Sequence, residues 1–237
     1  MADLSGRVAV VTGGSEGIGR AVAHALAREG ASVMLTSRSP DRARAVAAEL
    51  DADVRGAVRG AGCDVRDPAQ CRVLVEATME AFGALHVLVN NAGVGIFKPI
   101  QEMTEEEYLT QIETNLNGVF FCTRAALPHL RAADDAWIIN VGSLASRNTF
   151  GGGVGYNASK FGLLGMTEAM MLDLRYEGIR TSIIMPGSVN TGFSPAGDRP
   201  WAIQPEDVGD TVLQLLSYPQ HTLVSRVEMR PSAPPRK

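Results

Sequence analysis

Tyr156 and Lys160 stand four residues apart at the start of a segment with helical character. Residues i and i+4 share one face of a helix, so the Lys160 ammonium can lie close to the Tyr156 phenol. A free phenol titrates near ~10, which is too high for efficient proton transfer at neutral pH. A neighbouring cation favours the phenolate, so we expect Lys160 to lower the pKa of Tyr156. The pair therefore predicts a proton-transfer centre.

Ser143 lies thirteen residues before Tyr156, just after a predicted apolar strand. Its hydroxyl can hydrogen-bond a substrate oxygen and orient it toward a proton donor. Ser146, three residues further on, is a rival for the same role. The residues alone leave both serines open.

A glycine-rich segment, Thr12–Gly19, follows an apolar strand and precedes an amphipathic helix. Glycines allow a sharp turn and let backbone N–H groups approach a diphosphate, to which the helix N-terminus adds partial positive charge. A tight turn with no ligand is the alternative, but the strand–loop–helix context favours dinucleotide binding. The predicted contact residues are Gly13, Ser15, Glu16, Gly17, Ile18 and Gly19.

These residues are positioned by short β-branched segments that alternate with longer helical ones. The predicted strands are Arg7–Thr12, Ser32–Thr36, Gly56–Cys63, Leu85–Asn90, Trp137–Val141, Arg180–Met185 and Thr222–Val227. The predicted helices are Ile18–Glu29, Asp41–Leu50, Pro68–Phe82, one opened by Thr104–Glu107, one from about Asn117 to Arg131 that Pro128 kinks or ends, Tyr156–Glu177 closed at Gly178, and one from Gln204–Asp207 to about Leu216.

Such alternation predicts an α/β fold, in which a doubly wound parallel sheet of about seven strands is flanked by helices. We find no linker or repeat, so residues 1–237 are expected to form a single domain. The last residues, 230–237, contain three prolines and are expected to be an extended tail.

Composition excludes several classes of protein. The net charge of −4 and the pI of about 5.6 argue against a nucleic-acid partner. Three cysteines without a CxxC pair predict reduced thiols, with no disulfide and no metal site. No signal peptide and no membrane-spanning apolar segment are visible, so we expect a soluble cytoplasmic protein.

Several motifs together resemble the short-chain dehydrogenase/reductase family over nearly the whole chain. They are the Gly-x3-Gly-x-Gly spacing, the NNAG motif of Asn90–Gly93, the YxxxK motif and the Pro-Gly segment of Pro186–Thr191. The resemblance implies a Rossmann fold and a nicotinamide-dependent oxidoreductase. The family serine falls thirteen residues before its tyrosine, which favours Ser143 over Ser146. The implied catalytic tetrad is Asn115, Ser143, Tyr156 and Lys160.

The resemblance also assigns roles around the cofactor. Asn115 would hold a water that links Lys160 to solvent, and Lys160 would bind the ribose hydroxyls. Asp64 would bond the adenine amino group, and Val65 would flank the adenine ring. Further implied cofactor contacts are Asn91, Ala92, Gly93, Tyr156, Pro186, Gly187, Val189 and Thr191.

The end of the second strand indicates which cofactor is used. An acidic residue here favours NAD, because it bonds the ribose hydroxyls, whereas a basic residue accommodates the 2′-phosphate of NADP. No acid is present at this end, where Arg38 can bind a phosphate with Ser37 beside it. Glu16 counts against this interpretation, since many NADP-dependent relatives carry a basic residue in the glycine loop. We expect NADP(H) rather than NAD(H).

The substrate is left open. The general resemblance to 3-oxoacyl-ACP reductases predicts a small-molecule or carrier-attached ketone, and the short loop Gly192–Gln204 is compatible with either. The tail lacks the glycine-rich ending that is usual in those enzymes. Two alternatives are an NAD-dependent alcohol dehydrogenase working in the oxidative direction and a catalytically silent NADP sensor. Small residues on the Tyr156–Glu177 helix also suggest a homodimer or homotetramer, although they could equally pack on the sheet.

Overall fold

The computed structural model describes residues 3–193 and 199–235, and a seven-stranded sheet runs through them. The strands are β1 (Val8–Val11), β2 (Ser32–Ser37), β3 (Ala57–Gly62), β4 (Val87–Asn90), β5 (Ala136–Val141), β6 (Ile179–Pro186) and β7 (Arg226–Met229). All neighbouring pairs are parallel, in the order β3-β2-β1-β4-β5-β6-β7. The predicted Rossmann-type α/β fold is confirmed.

Helices cover both faces of the sheet. They are α1 (Gly17–Arg28), α2 (Pro40–Asp51), α3 (Pro68–Phe82), α4 (Glu105–Ile112), α5 (Gly118–Arg131), α6 (Val154–Leu174) and α7 (Pro205–Ser217). The central strand β1 is fully buried and alternates its side chains between two cores. Ala9 and Val11 join the core under α1, α2 and α7, whereas Val10 joins the core under α3 and α5. Apolar side chains on both faces explain why this strand has no polar alternation.

The order of the strands reverses at β1, which has β2 on one side and β4 on the other. The loops after these strands leave in opposite directions, and the resulting crevice at the carboxyl ends is where ligands bind in open α/β sheets. The glycine loop after β1 and the NNAG motif after β4 both lie at this reversal point.

Helices α4 and α5 form one continuous element. A π-helical turn, Glu113–Asn117, joins them, so Asn115 lies within the helix and not ahead of it. The sequence analysis was wrong to begin a separate helix at about Asn117. Pro128 lies inside α5, which continues to Arg131.

Two other boundaries differ from the predictions. Helix α6 begins at Val154, two residues before Tyr156, and ends at Leu174. A 3₁₀ turn, Arg175–Glu177, follows it, and Gly178 closes that turn with a φ of 74°. The last strand was predicted at Thr222–Val227 but occupies Arg226–Met229. The carbonyls of Thr222 and Val224 accept hydrogen bonds from side chains of β6, so these residues do not begin the strand at 222. Residues 230–235 form neither helix nor strand.

Candidate active site

A cleft of about 700 Å³ opens at the carboxyl ends of the strands, within the size range of small-molecule and cofactor sites. All the predicted site residues except Gly19 and Asn115 line it. Ser146 does not line it: this serine is fully buried, and its Oγ accepts a hydrogen bond from the Ser143 backbone N–H at 3.4 Å. The structure therefore exposes Ser143, and not its rival, to the cleft.

The catalytic candidates come from two neighbouring elements. Ser143 follows β5 and caps a short 3₁₀ turn, where its Oγ accepts a hydrogen bond from the Ala145 N–H at 3.1 Å. Tyr156 lies in the first turn of α6, and it lines the cleft together with Ser143. Lys160, one turn later, lies 5.8 Å from the centre of the Tyr156 ring.

The predicted lowering of the tyrosine pKa is not observed. Burial raises the pKa of Tyr156, and the hydrogen bond with Ser143 opposes that rise only in part. Lys160 is 5% exposed, and burial lowers its pKa to about 8. Its Nζ donates to the Val141 carbonyl at 2.9 Å, so the ammonium is held beneath the ring rather than at the phenol oxygen.

Asn115 lies behind this group, in the π-helical turn. Its Nδ2 donates to the Val94 carbonyl at 2.8 Å and to Ser159 Oγ at 3.0 Å, and its Oδ1 accepts from the Val94 N–H at 2.8 Å. The side chain thus joins the segment after β4 to helix α6. Both N–H groups of the Asn115 amide and one lone pair of its oxygen are in use, so the side chain has little capacity left for a water.

The glycine loop has the shape that a diphosphate requires. Gly13 and Gly17 adopt φ values of 64° and 51°, a region that favours glycine. A Cβ at Gly19 would overlap the Gly13 carbonyl oxygen. The N-terminus of α1 has no side-chain cap and no acidic residue in its first turn. Glu16 occupies the N-cap position, but its carboxylate pairs with Arg42 and does not cap the helix, so the first N–H groups of α1 are left for an anion.

Asn91 fixes this loop to the end of β4. Its Nδ2 donates to the carbonyls of Thr12 and Gly13, at 2.9 and 3.1 Å. The Thr12 hydroxyl accepts in turn from the backbone N–H groups of Asn91 and Ala92, at 3.0 and 3.1 Å. These bonds hold the two sides of the crevice in register.

At the ends of β2 and β3 the cleft is lined by charged groups. Glu16 forms an ion pair with Arg42, at 2.6 Å between Oε2 and Nη2. The Asp64 carboxylate binds the Arg66 guanidinium, and this contact lowers the pKa of Asp64. Arg42 and Arg66 were missed by the sequence analysis because neither belongs to a recognised motif.

The segment after β6 closes the other side of the loop. A Cβ at Gly17 would lie 3.2 Å from Thr191 Cγ2, so Thr191 is adjacent to the glycine loop. The Val189 carbonyl accepts from Arg199 Nη2 at 2.8 Å. Of the predicted loop Gly192–Gln204, residues 194–198 lie outside the described residues. In the part of the chain that the structure describes, no helix has the length and apolar character to cross a membrane.

Comparisons with known proteins agree with this arrangement. A family model described as "short chain dehydrogenase" matches residues 7–199. An uncharacterized oxidoreductase of Staphylococcus saprophyticus is 33% identical over 98% of this chain and 100% of its own length. The structure is similar to an alcohol dehydrogenase of Thermococcus sibiricus complexed with 5-hydroxy-NADP, with a TM-score of 0.89 and 31% identity over 98% of this chain and 99% of that one. It is also similar to a 3-ketoacyl-(acyl-carrier-protein) reductase of Brucella melitensis complexed with NADH, with a TM-score of 0.88 and 25% identity over 97% and 98% of the two chains.

Proposed function

The chain belongs to the short-chain dehydrogenase family, and we propose that it reduces a ketone to an alcohol with NADPH, using Tyr156 as the proton donor. One observation carries the proposal. Ser143 and Tyr156, with Lys160 beneath the tyrosine ring, line the same cleft as a glycine loop at an uncapped helix N-terminus.

The residues present fit a dinucleotide. The backbone N–H groups at the start of α1 would hold the pyrophosphate, and Asp64 and Val65 would hold the adenine. The backbone of Val189 and the hydroxyl of Thr191 would contact the nicotinamide end. When bound, this cofactor supplies the hydride.

The chain's own residues would manage the proton. Ser143 would donate a hydrogen bond to the substrate oxygen and hold it next to the Tyr156 hydroxyl. Tyr156 would pass its proton to that oxygen as negative charge develops there. The Lys160 ammonium would stabilise the phenolate that remains and contact the ribose. A water near Asn115 would return the proton to Tyr156. Groups other than the Asn115 side-chain amide would hold this water, because that amide is already hydrogen-bonded to Val94.

A preference for NADP(H) is supported by two features of the adenosine end. No acidic side chain follows β2 at the ribose position, where Ser37 and Arg38 line the cleft. The Glu16 carboxylate, which would repel a 2′-phosphate, is paired with Arg42. The guanidinium groups of Arg38 and Arg42 therefore line the cleft where the phosphate would bind. The one carboxylate beside them, that of Glu16, is neutralised by its ion pair.

The experiment compares wild-type protein, Tyr156→Phe and Arg38→Asp on a panel of ketones and β-ketoesters with NADPH and NADH. Wild type should oxidise NADPH faster than NADH. Tyr156→Phe should lose turnover by about 10²-fold or more while it binds NADPH nearly as tightly, because only the proton donor is removed. Arg38→Asp should weaken the preference for NADPH by about tenfold or more.

Three outcomes contradict the proposal. Turnover retained in Tyr156→Phe would exclude it as the proton donor. Tight NADPH binding without turnover on any substrate would indicate a silent sensor. Faster oxidation of alcohols with NAD⁺ than reduction of ketones with NADPH would indicate an alcohol dehydrogenase in the oxidative direction.

We also propose that the protein is a homodimer or homotetramer. Helices α4, α5 and α6 leave large apolar side chains partly exposed, among them Leu109, Phe120, Phe161 and Leu172. Exposed apolar patches mark interaction surfaces, so we place the interface between subunits on these helices.

A further inference from the structure

Three phenylalanines surround the candidate proton donor. The rings of Phe97, Phe150 and Phe193 lie 5.3, 6.5 and 6.0 Å from the Tyr156 ring, measured between centroids. Phe97 also lies 5.7 Å from Phe150 and 6.4 Å from Phe193. We call these three residues the aromatic enclosure.

Each ring of the enclosure comes from a different loop. Phe97 follows β4, Phe150 lies between β5 and α6, and Phe193 follows β6. The first two loops are joined by a hydrogen bond from the Lys98 N–H to the Gly152 carbonyl at 2.9 Å. The enclosure is therefore assembled only when the sheet brings the three loops together.

Two glycines make room for these rings. A Cβ at Gly95 would lie 2.7 Å from both the Phe97 and the Phe193 ring. A Cβ at Gly153 would lie 2.8 Å from the Phe150 ring. Since real Cβ atoms do not approach so closely, any side chain at these positions would push a ring away from Tyr156.

The enclosure is unusual because its rings are not covered. Phe97, Phe150 and Phe193 are 44, 47 and 46% exposed, and all three line the cleft. Single exposed apolar residues are ordinary in proteins, but a cluster at the mouth of a pocket marks a binding surface. The free energy of removing these rings from water is thus available to a ligand.

Among the described residues that line the cleft, few charged ones lie near the enclosure. Glu16, Arg38, Arg42, Asp64 and Arg66 belong to the loops after β1, β2 and β3 or to α2, on the opposite side of the sheet's reversal point. On the enclosure's side, Lys160 donates to the Val141 carbonyl and Arg199 to the Val189 carbonyl. The three rings themselves offer no charged partner, so the ligand group that packs among them is an uncharged one.

We propose that the aromatic enclosure binds an aryl group, so that the substrates are uncharged ketones that carry an aromatic ring. This inference rests on the proposed reductase function. The ring planes around Tyr156 are inclined by 53 to 75°, the tilted and edge-to-face range that aromatic pairs prefer. An aryl group extends that packing, whereas an alkyl group gains only the buried area.

The test uses two ketones of the same skeleton, phenylacetone and cyclohexylacetone. In both, a methylene separates the ring from the carbonyl, so the intrinsic reactivity is similar and the comparison reports on the ring. Wild type with NADPH should favour phenylacetone by about three- to tenfold in kcat/KM, mainly through KM. Phe97→Leu, Phe150→Leu and Phe193→Leu should each bring that ratio toward one while thermal unfolding stays cooperative.

Tyr176→Leu is the matched control, because Tyr176 is 90% exposed and does not line the cleft. It should keep the wild-type ratio. A wild-type ratio near one, or a ratio that the three leucine variants leave unchanged, would overturn the inference and leave the reductase function standing.

Calorimetric binding of both ketones to the NADP⁺ complex separates the two proposals. If neither ketone is turned over, the proposed function fails for these substrates, but the enclosure is still tested by affinity. Phenylacetone should then bind about three- to tenfold more tightly than cyclohexylacetone, and equal affinities would refute the aryl site.

Discussion

Burial governs the ionisation of Tyr156 and Lys160. Spacing alone predicts that Lys160 lowers the pKa of Tyr156, but burial raises the tyrosine pKa and lowers that of Lys160 to about 8. A desolvated phenol stays protonated, which is the form that a proton donor needs. Desolvation of this kind depends on the packed structure and has no signature in a YxxxK motif.

Replacement of Lys160 by Met should give a stability effect that depends on pH. The folded-state pKa of about 8 lies below the ordinary value of 10.5, so folding disfavours the charged lysine. That penalty is fully present below pH 8 and is relieved as the pH rises toward 10.5. The stability of Lys160→Met relative to wild type should therefore fall by about 2 kcal/mol between pH 7 and pH 9.5.

Urea unfolding of both proteins at the two pH values measures this difference. The pH dependence of the lost hydrogen bond to Val141 is already contained in the folded-state pKa of Lys160, so the change between the two pH values reports on that pKa. Lys98→Met is the matched control, because the Lys98 side chain is 41% exposed. A difference between wild type and Lys160→Met that is the same at both pH values would contradict a buried ammonium.

Ion pairing explains a second residue that the sequence left ambiguous. Glu16 stands where a carboxylate would oppose a 2′-phosphate, and the loop sequence alone offers it no partner. Arg42 supplies that partner from α2, 26 residues away along the chain. A contact of this separation is set by the packing of the loop against the helix after β2, so no local pattern predicts it.

At the scale of elements, the positions of the strands were predicted better than the boundaries and connections of the elements. Five of the seven strands follow from β-branched apolar segments, because a buried parallel strand needs such residues along its whole length. The edge strand β3 contains one β-branched residue, Val58, and is buried only there. The π-helical turn has no comparable signal, since its backbone bonds are added without any change in the periodicity of the sequence. The same holds for β7, whose start depends on which carbonyls the side chains of β6 engage.

The π-helical turn should depend on Asn115. Asn115→Ala would leave the Val94 N–H and carbonyl without their side-chain partner in a partly buried site, at a cost of about 1–3 kcal/mol. Asn117→Ala is the control, because Asn117 is an exposed residue of the same turn and its loss should change stability by less than about 0.5 kcal/mol. Denaturant unfolding compares the two variants. Equal stabilities would show that the Asn115 bridge does not stabilise the turn.

At the scale of the whole molecule, the helices outside the cleft carry more exposed apolar surface than the fold requires. Leu109 in α4, Phe120 in α5 and Leu172 in α6 are 49, 46 and 56% exposed. Two small residues of α6 differ in their surroundings. Gly162 packs against Leu116 of the same chain, whereas Gly165 meets open space. Only the second kind of position is available to another subunit.

Mass measurement by size-exclusion chromatography with light scattering tests the proposed assembly. Wild type should have about two or four times the chain mass of 25.2 kDa. The double variant Phe120→Asp, Leu172→Asp should approach the mass of one chain, because two unpaired carboxylates in an apolar interface cannot be solvated. Val73→Asp adds one carboxylate at a 59% exposed position of α3 and should leave the mass unchanged. A monomeric wild type, or a double variant with the wild-type mass, would exclude this surface as the interface.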